Sequence, residues 1–376
     1  MLYKMKRVKT LHLASFNGNI GDNANHYGFY KYLKKSPEYS FEIDELEIRE
    51  FYWKERFFDK SFVALVNSYD LLIVGGGNYF ELWVEDSPTG TSIAIELELL
   101  KQIKTPIMFN ALGVDPGQGV SEKNIIRFRN FLDLLIKRGD FISIRNDGAK
   151  KAIIDYVGEE YLEYINHTVD AGFFVDVDDP SKYYKSRKYI AINIASDMAE
   201  VRFSTISYRE FLDEWKLFIV EFLKQYSDYE IVFVPHIFRD MNFINDILDI
   251  LPDSLRRQKI TIASLKHGEE SFAEVMSVYK GASLVLANRF HANVCSIGLG
   301  VPTIGLVNYR QIKELYRELG SDNFVDIERK GFNNELMKFI SINLINLDSY
   351  QHNLMVIEKK YLLIQTKINL WMNTLD

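Results

Sequence analysis

Arg289 and His291 form the residue pair in this sequence whose types and spacing most directly suggest chemistry. They lie in ANRFHANVCSIGLGVPTIGL, residues 287–306, where an apolar segment ends and a run of small residues begins. An arginine guanidinium binds a carboxylate or phosphate through a fork of N–H groups, and histidine transfers protons near neutral pH. The helix predicted to begin near Phe290 adds a dipole that favours an anion. The pair is therefore a candidate anion site with catalytic potential. The structural alternative is a helix-capping arginine beside a core histidine.

Two other loops of the second half carry similar groups after predicted strands. Arg202 lies in IASDMAEVRF, residues 194–203, and His236 and Asp240 lie in VPHIFRD, residues 234–240. Because the carboxyl ends of parallel strands share one sheet edge, these groups are expected on the rim that holds Arg289. Such a rim suits a compact small molecule with several negative charges. Arg202 is predicted as a second anion ligand, and His236 or Asp240 as a base.

Loops of the first half are predicted to contact a ligand rich in hydroxyl groups. A glycine-containing helix start, NIGDN, a glycine run, VGGGN, and a turn-rich loop, ALGVDPGQG, each follow a predicted strand. Such loops allow close backbone approach and offer polar side chains, although they also serve as ordinary turns and helix caps. The candidate contacts are Asp22, Asn23, Gly76, Gly77, Asn78 and Asp115.

Arg145 is a weaker anion candidate at the end of the predicted strand DFISIRN, residues 140–146. A strand-end arginine can bind a carboxylate or phosphate, and it can equally cap a neighbouring helix or bridge the domains. No HExxH or comparable metal-ligand spacing is present, and Cys295 is the single cysteine. The sequence therefore predicts no metal site, and it contains no GxSxG nucleophile elbow.

Composition excludes several classes of protein. The chain has 376 residues, 47% apolar and 26% charged, and its formal net charge is −7. A chain with this charge and no basic run is a poor binder of nucleic acid. The sequence contains no run of about 18 apolar residues, so it predicts no transmembrane helix. A cytoplasmic location is expected, with peripheral contact to the inner face of the membrane left open.

Short apolar segments alternate with helical patterns throughout, which predicts an α/β fold. YDLLIVGGG, residues 69–77, is typical of a buried strand, and SEKNIIRFRNFLDLLIKRG, residues 121–139, of an amphipathic helix. After the polar segment 174–188 the alternation starts again. We expect two Rossmann-like domains with doubly wound parallel sheets, residues 1–178 and 186–345, that face a cleft. The final segment, 346–376, is expected to form a helix that crosses back to brace the first domain.

Several of these segments together resemble the polysaccharide pyruvyltransferase family. The similar pieces follow the family's order along the chain, and they are NIGDN, YDLLIVGGGN, FNALGVDP, ISIRNDGAKK, TVDAGF, VFVPHIFRD and LANRFHANVCSIGLGVPTIGL. The resemblance implies a GT-B-like fold. It also implies transfer of a pyruvyl group from phosphoenolpyruvate onto two hydroxyls of a sugar, which forms a cyclic ketal and releases phosphate.

By the same resemblance, Arg289 and His291 contact phosphoenolpyruvate in the second domain. We also expect Asn288 and Arg202 to bind this donor, although Asn288 departs from the Ser or Thr that the family often has before the arginine. The first domain would take the sugar acceptor, for example a lipid-linked oligosaccharide. Phosphoenolpyruvate is a co-substrate, and no cofactor is implied. Two alternatives remain: a GT-B-type glycosyltransferase that uses a sugar nucleotide, and a non-catalytic protein that binds sugars or anions on the same fold.

Overall fold

The computed structural model describes residues 5–17, 19–117, 119–266, 269–343 and 348–375. The chain forms two compact units. The first contains Met1–Asn17, Asn25–Ala171 and Ile357–Asp376, and the second contains Gly18–Ala24 and Gly172–Val356. None of the described helices combines the length and apolar character that crossing a membrane requires.

A parallel sheet of six strands organises the first unit, with the strand order β2-β1-β3-β5-β7-β8. Its strands, and a separate parallel pair β4-β6, are β1 (Lys6–Ala14), β2 (Tyr39–Glu47), β3 (Leu71–Gly75), β4 (Phe80–Glu81), β5 (Ile107–Leu112), β6 (Val114–Asp115), β7 (Phe141–Ile144) and β8 (Ile165–His167). Every residue of β3 is buried, as expected of a central strand covered on both faces.

Helices alternate with these strands along the chain. They are α1 (Ile20–Leu33), α2 (Arg49–Tyr52), α3 (Lys60–Val66), α4 (Leu97–Leu100), α5 (Glu122–Arg138) and α6 (Ala149–Ala152). Local sequence defines the ends of α5: the Ser121 side chain accepts from the Asn124 N–H at the start, and Gly139 takes the left-handed conformation at the end. The apolar face of α5 contributes Phe128 and Phe131 to the core of the first unit.

The second unit repeats this plan, with a parallel sheet in the order β11-β10-β9-β12-β13-β14. Its strands are β9 (Tyr189–Asn193), β10 (Glu230–Phe233), β11 (Ile260–Ile262), β12 (Leu284–Ala287), β13 (Thr303–Val307) and β14 (Phe324–Asp326). The chain starts this sheet in the middle, so β9 lies between β10 and β12. In doubly wound sheets such a reversal of strand order is where ligands bind.

The helices of the second unit are α7 (Lys182–Lys185), α8 (Ala199–Arg202), α9 (Tyr208–Gln225), α10 (Asp240–Ile250), α11 (Asp253–Gln258), α12 (Glu269–Lys280), α13 (Phe290–Gly298), α14 (Arg310–Glu318) and α15 (Phe332–Asn343). A reciprocal cap between Ser207 and Glu210 begins α9. This helix buries Phe211 and Trp215 against Phe243 and Phe332 in an aromatic core. An α/β fold with two parallel sheets is thereby confirmed.

The last helix, α16 (Asp348–Met372), contributes its final part to the first unit. The Tyr361 ring meets the Tyr32 ring of α1 edge to face at 4.8 Å, and the Trp371 indole donates to the Gly139 carbonyl at 2.8 Å. Of the predicted segment 346–376, residues 346, 347 and 376 lie outside the described residues. The predicted domain boundaries stay predictions; the described units divide at Gly172.

Candidate active site

Arg289 stands at the turn from β12 into α13, as its place in the sequence predicts. Its backbone N–H donates to the Asn193 side chain at the end of β9, at 2.9 Å. Arg289 is the N-cap residue of α13, and its own side chain makes no capping hydrogen bond. The turn therefore directs the start of α13 and the Arg289 guanidinium to the same edge, at the ends of the adjacent strands β9 and β12.

Two carboxylates hold the Arg289 guanidinium. Arg289 Nε donates to Asp240 Oδ2 at 2.8 Å, and Arg289 Nη2 donates to Asp197 Oδ1 at 3.1 Å. Burial alone would lower the pKa of Arg289, but Asp240 and Asp197 raise it above its usual value. Arg289 is therefore a permanent positive charge whose donors are already directed at carboxylate oxygens.

Asp240, a predicted base, is wholly buried at the start of α10. Besides Arg289, its Oδ2 accepts the backbone N–H groups of His236 and Ile237, at 2.9 and 3.3 Å. Donors on this many sides fix the orientation of the carboxylate. Its role as a base stays a prediction, and its surroundings favour a role in positioning Arg289.

Arg202 lies at the end of α8 and joins the same cluster. It donates from Nη1 to Asn308 Oδ1 at 2.9 Å and from Nε to the Asp197 carbonyl at 3.0 Å. Its Nε also lies 3.5 Å from Asp197 Oδ1. Both predicted anion ligands, Arg202 and Arg289, therefore contact one carboxylate. Asp197 and Asn308 had not been singled out in the sequence.

Asn288, predicted to bind the donor, uses its side chain inside the fold. Its Oδ1 accepts the Ala195 N–H at 2.9 Å, and its Nδ2 donates to the Leu306 carbonyl at 2.8 Å and to Asn308 Oδ1 at 2.7 Å. These bonds fasten the ends of neighbouring strands. Direct donor binding by Asn288 stays a prediction, and its contacts favour an indirect role through Asn308.

His291 lies in the first turn of α13, in edge-to-face contact with the Phe290 ring. Gly21, in the first turn of α1, approaches it so closely that a Cβ there would lie 2.4 Å from His291 Nδ1 and 2.5 Å from His291 Cβ. Both residues belong to the second unit. Asp22 and Asn23, the predicted acceptor contacts beside Gly21, are buried.

His236 is completely enclosed, and its Nε2 shares a hydrogen bond of 2.7 Å with the Tyr279 hydroxyl. Burial, reinforced by the charges of Arg289 and His291, lowers the pKa of His236 well below its usual value. Its surroundings therefore favour the neutral form of the imidazole over the charged form. Its role as a base stays a prediction. The burial of His236 argues against this role, because a base must be accessible to the substrate.

In the first unit, Gly76, Gly77, Asn78 and Asp115 lie at the ends of β3 and β6. Gly76 has a positive φ of 86° and packs so tightly on α1 that a Cβ would lie 2.7 Å from Asn25 Oδ1. Asn78 Nδ2 donates to Asp115 Oδ2 at 3.1 Å. Asn78 and Asp115 therefore bring these strand ends into one region, and the role of these residues in binding an acceptor stays a prediction.

Glu81 is a titratable group of this region that sequence reasoning missed. It pairs with Asp115 across β4 and β6 and accepts a hydrogen bond from the Ser92 hydroxyl. Burial raises the pKa of Glu81 to about 7, with a further contribution from the charge of Asp115. The signal was its place in GGGNYFELW, but strands of two residues leave no pattern that a sequence can reveal.

Arg145 forms a buried ion-pair cluster at the end of β7. Its Nε donates to Asp147 Oδ2 at 2.8 Å, and its Nη1 donates to Asp170 Oδ2 at 3.3 Å. Because two internal carboxylates already contact Arg145, a role in joining elements of the fold fits this residue better than binding of an external anion. Among the described residues, no group of three or more His, Cys, Asp and Glu side chains is placed to hold a metal ion.

Several solved structures have a similar fold, and UDP or a UDP-sugar appears in the descriptions of three of them. UDP-GlcNAc 2-epimerase from Methanocaldococcus jannaschii has a TM-score of 0.55 and 15% identity over 90% of this chain and 93% of its own. A UDP-forming trehalose-phosphate synthase from Burkholderia xenovorans gives 0.53 and 9%, over 99% of both chains. HepE from Anabaena, solved with UDP and glucose, gives 0.53 and 11%, over 97% and 99%.

These likenesses show a GT-B-type fold and, at such low identity, the fold alone. No curated protein matches the chain significantly. The sequence model of one family, described as polysaccharide pyruvyl transferase, matches residues 19–309. That range contains both glycine-rich strand ends of the first unit and the Arg289–His291 corner of the second. The resemblance read from the sequence motifs is thereby confirmed, and the chain belongs to the polysaccharide pyruvyl transferase family.

Proposed function

We propose that this protein transfers the pyruvyl group of phosphoenolpyruvate onto two hydroxyls of a sugar in a precursor of cell-surface polysaccharide. The product is a cyclic pyruvate ketal, and phosphate is released. Family membership supports a transferase. The observation that carries the donor assignment is the meeting of Arg289, Arg202 and the start of α13 at the ends of β9 and β12.

Phosphoenolpyruvate fits such an edge because it carries a carboxylate and a phosphate on adjacent atoms of one small molecule. Guanidinium groups bind both kinds of anion through paired hydrogen bonds. The start of a helix provides N–H groups and a favourable dipole for a phosphate. One edge of the second unit therefore supplies partners of both types, as a compact donor with several charges requires.

The reaction begins with transfer of a proton to the methylene carbon C3, which becomes a methyl group and leaves C2 with oxocarbenium character. The first sugar hydroxyl forms a bond to C2 and loses its proton. The C2–O bond to the phosphate then breaks, and the phosphate departs with that electron pair. The second hydroxyl adds to C2 and loses its proton, which closes the ketal. Of the two hydroxyl protons, one balances the proton on C3 and the other leaves with the phosphate.

His291 is proposed to act in this sequence, either as the acid that protonates C3 or as a ligand that assists the departure of phosphate. Its place in the first turn of α13, next to Arg289, supports a contact with the donor. Arg289 is proposed to bind one anionic group of the donor. Its bond to the buried Asp240 keeps the guanidinium oriented, so little reorganisation of this side chain is needed during the reaction.

The experiment is to incubate the protein with phosphoenolpyruvate and a panel of acceptors that contains lipid-linked oligosaccharides, nucleotide sugars and polymers. We expect phosphate release that depends on an acceptor, and a ketal methyl signal in the product by NMR. If a nucleotide sugar is consumed as donor and phosphoenolpyruvate is not, the enzyme is a glycosyltransferase. Ligand binding without turnover of either donor would instead identify a non-catalytic binding protein.

A further inference from the structure

The four charged side chains at the ends of β9 and β12 are buried to different depths. The side chain of Asp240 is wholly buried, while the exposed fractions are 7% for Arg202, 14% for Arg289 and 19% for Asp197. Asp240 also accepts hydrogen bonds from the backbone of the loop that follows β10. Asp197 is thus the most exposed member of the cluster and the one that an incoming molecule meets first.

Asp197 contacts Arg289 as an external carboxylate would. Its two oxygens face the two terminal nitrogens of the guanidinium, with Nη2–Oδ1 at 3.1 Å and Nη1–Oδ2 at 3.4 Å. Oδ1 also lies 3.5 Å from Arg202 Nε. A fork of two N–H groups on two carboxylate oxygens is the geometry by which arginine recognises carboxylate ligands.

The loop that carries Asp197 is held in an unfavourable conformation. Met198, the next residue, has a positive φ of 55°, which L residues with a long side chain rarely adopt. Burial would raise the pKa of Asp197, but the charges of Arg289 and Arg202 hold it below its usual value. The loop therefore combines a strained backbone at Met198 with a carboxylate whose charged form two arginines stabilise.

Asn308, at the end of β13, adds an observation that itself indicates a ligand. Its Oδ1 accepts from Arg202 Nη1 and Asn288 Nδ2, which fixes the orientation of the amide. Its Nδ2 is buried, with no hydrogen-bond partner among the described residues, and the whole residue is only 1% exposed. Leaving a buried N–H donor without an acceptor is costly. An acceptor atom beside Arg202 would remove that cost.

We propose that the Asp197 carboxylate occupies the position that the carboxylate of the donor takes, and that the donor displaces it from Arg289 and Arg202 and gains Asn308 Nδ2 as a further partner. This inference rests on the proposed function. It assigns an orientation to phosphoenolpyruvate: the carboxylate binds the two arginines, and the phosphate binds at the start of α13, beside His291. His291 then acts on the departing phosphate, and Asp197 sets the affinity for the donor's carboxylate end.

The test is to titrate the full chain with pyruvate, inorganic phosphate and phosphoenolpyruvate, each followed by calorimetry. Asp197→Asn keeps the shape of the side chain and removes the competing charge. We expect it to tighten binding of pyruvate and phosphoenolpyruvate about 10- to 100-fold, since a hydrogen-bonded charge no longer has to be displaced. The affinity for inorganic phosphate should stay within about twofold, because phosphate binds at the other end.

Asn308→Asp provides an independent variant, since it keeps the acceptor for Arg202 and replaces the unpaired amide nitrogen with oxygen. It should weaken pyruvate and phosphoenolpyruvate about tenfold and leave phosphate unchanged. The control is Asp228→Asn, which removes an exposed carboxylate paired with Lys188 in the same unit and should leave all three affinities unchanged. If Asp197→Asn does not fold, Asn308→Asp alone decides.

Two results would overturn the inference. Asp197→Asn could tighten inorganic phosphate as much as pyruvate, which would place the donor's phosphate on the arginines. Alternatively, both variants could bind pyruvate as the wild type does, which would make Asp197 a fixed part of the fold. Both differ from failure of the proposed function, in which the wild-type protein does not bind phosphoenolpyruvate at all.

Discussion

The two units place different chemistry at the same position of similar sheets. In the second unit, the ends of β9 and β12 hold charges that do not change near neutral pH: Arg289 has a raised pKa and Asp197 a lowered one. In the first unit, the corresponding region holds glycines, amides and groups whose charge burial suppresses. His12 is an example, since burial and the neighbouring His26 lower its pKa well below the usual value.

This difference suggests that a shared fold need not share a type of ligand. Fixed charges at a strand edge suit an anion whose own charge is permanent. Amides, glycines and a carboxyl that titrates near neutrality suit neutral hydroxyl groups, which need hydrogen bonds in both directions. The comparison therefore supports assigning the donor to the second unit and the sugar to the first, and the following variants can break or sharpen it.

The largest effect on stability is expected from Arg145→Met, because it leaves Asp147 and Asp170 buried without their cation. Breaking a buried ion pair on one side costs about 3–5 kcal/mol. The unfolding free energy of the first unit, measured in urea, should fall by that amount. Arg7→Met is the control, since Arg7 and its partner Glu42 are exposed and the pair should contribute below about 1 kcal/mol. A small effect of Arg145→Met, with loss of anion binding, would instead make Arg145 a ligand residue.

His291→Ala tests the catalytic side of the comparison. Removal of a positioned proton donor lowers turnover about 10²- to 10⁴-fold, and we expect a loss in that range with an unchanged fold by circular dichroism. His167→Ala, at an exposed position of the first unit, should retain wild-type phosphate release. Turnover of His291→Ala close to that of the wild type would remove His291 from the reaction.

Glu81→Gln tests whether the first unit carries a group that titrates near neutral pH. Glu81 has a folded-state pKa of about 7, above the usual 4.5, so the folded protein holds this proton more tightly than the unfolded chain. Its contribution to stability is complete below pH 4.5 and is lost as pH rises to about 7. As pH rises through that window the wild type loses stability and Glu81→Gln does not. The difference in unfolding free energy should therefore shift in favour of the variant, by up to about 3 kcal/mol. A difference in unfolding free energy that does not vary between pH 4.5 and 8 would contradict the raised pKa.

Gly21→Ala is expected to have the smallest effect on stability and a clear effect on activity. The added methyl group would overlap His291 Cβ and the ring, and overpacking costs about 1–3 kcal/mol. Because the imidazole must move, turnover should fall more than the change in melting temperature would suggest. Gly300→Ala is a contrasting variant: nothing lies within 4 Å of its Cβ position, but its positive φ of 74° penalises a side chain. It should lower the melting temperature without a matching loss of turnover.

Much of the fold could be predicted because parallel strands buried on both faces leave continuous apolar runs, as LLIVG in β3 does. Arg289 and His291 could be found because they interrupt such a pattern where strand meets helix. Asp197 and Asn308 could not, since Asp197 lies 92 residues from Arg289 along the chain and Asn308 lies 106 residues from Arg202. Asn288 was singled out for its place beside Arg289; donor binding by it stays a prediction, and the structure adds that its amide joins strand ends.

The docking of α16 has a consequence for how the protein is made. The first unit draws on both ends of the chain, and Tyr32 and Gly139 meet Tyr361 and Trp371 only after the intervening second unit has been synthesised. Domains tend to fold as they emerge from the ribosome, N-terminal first. In this protein, the part of the first unit that is translated early has an uncovered surface until the residues of α16 have been synthesised. The unit that starts folding first is completed last.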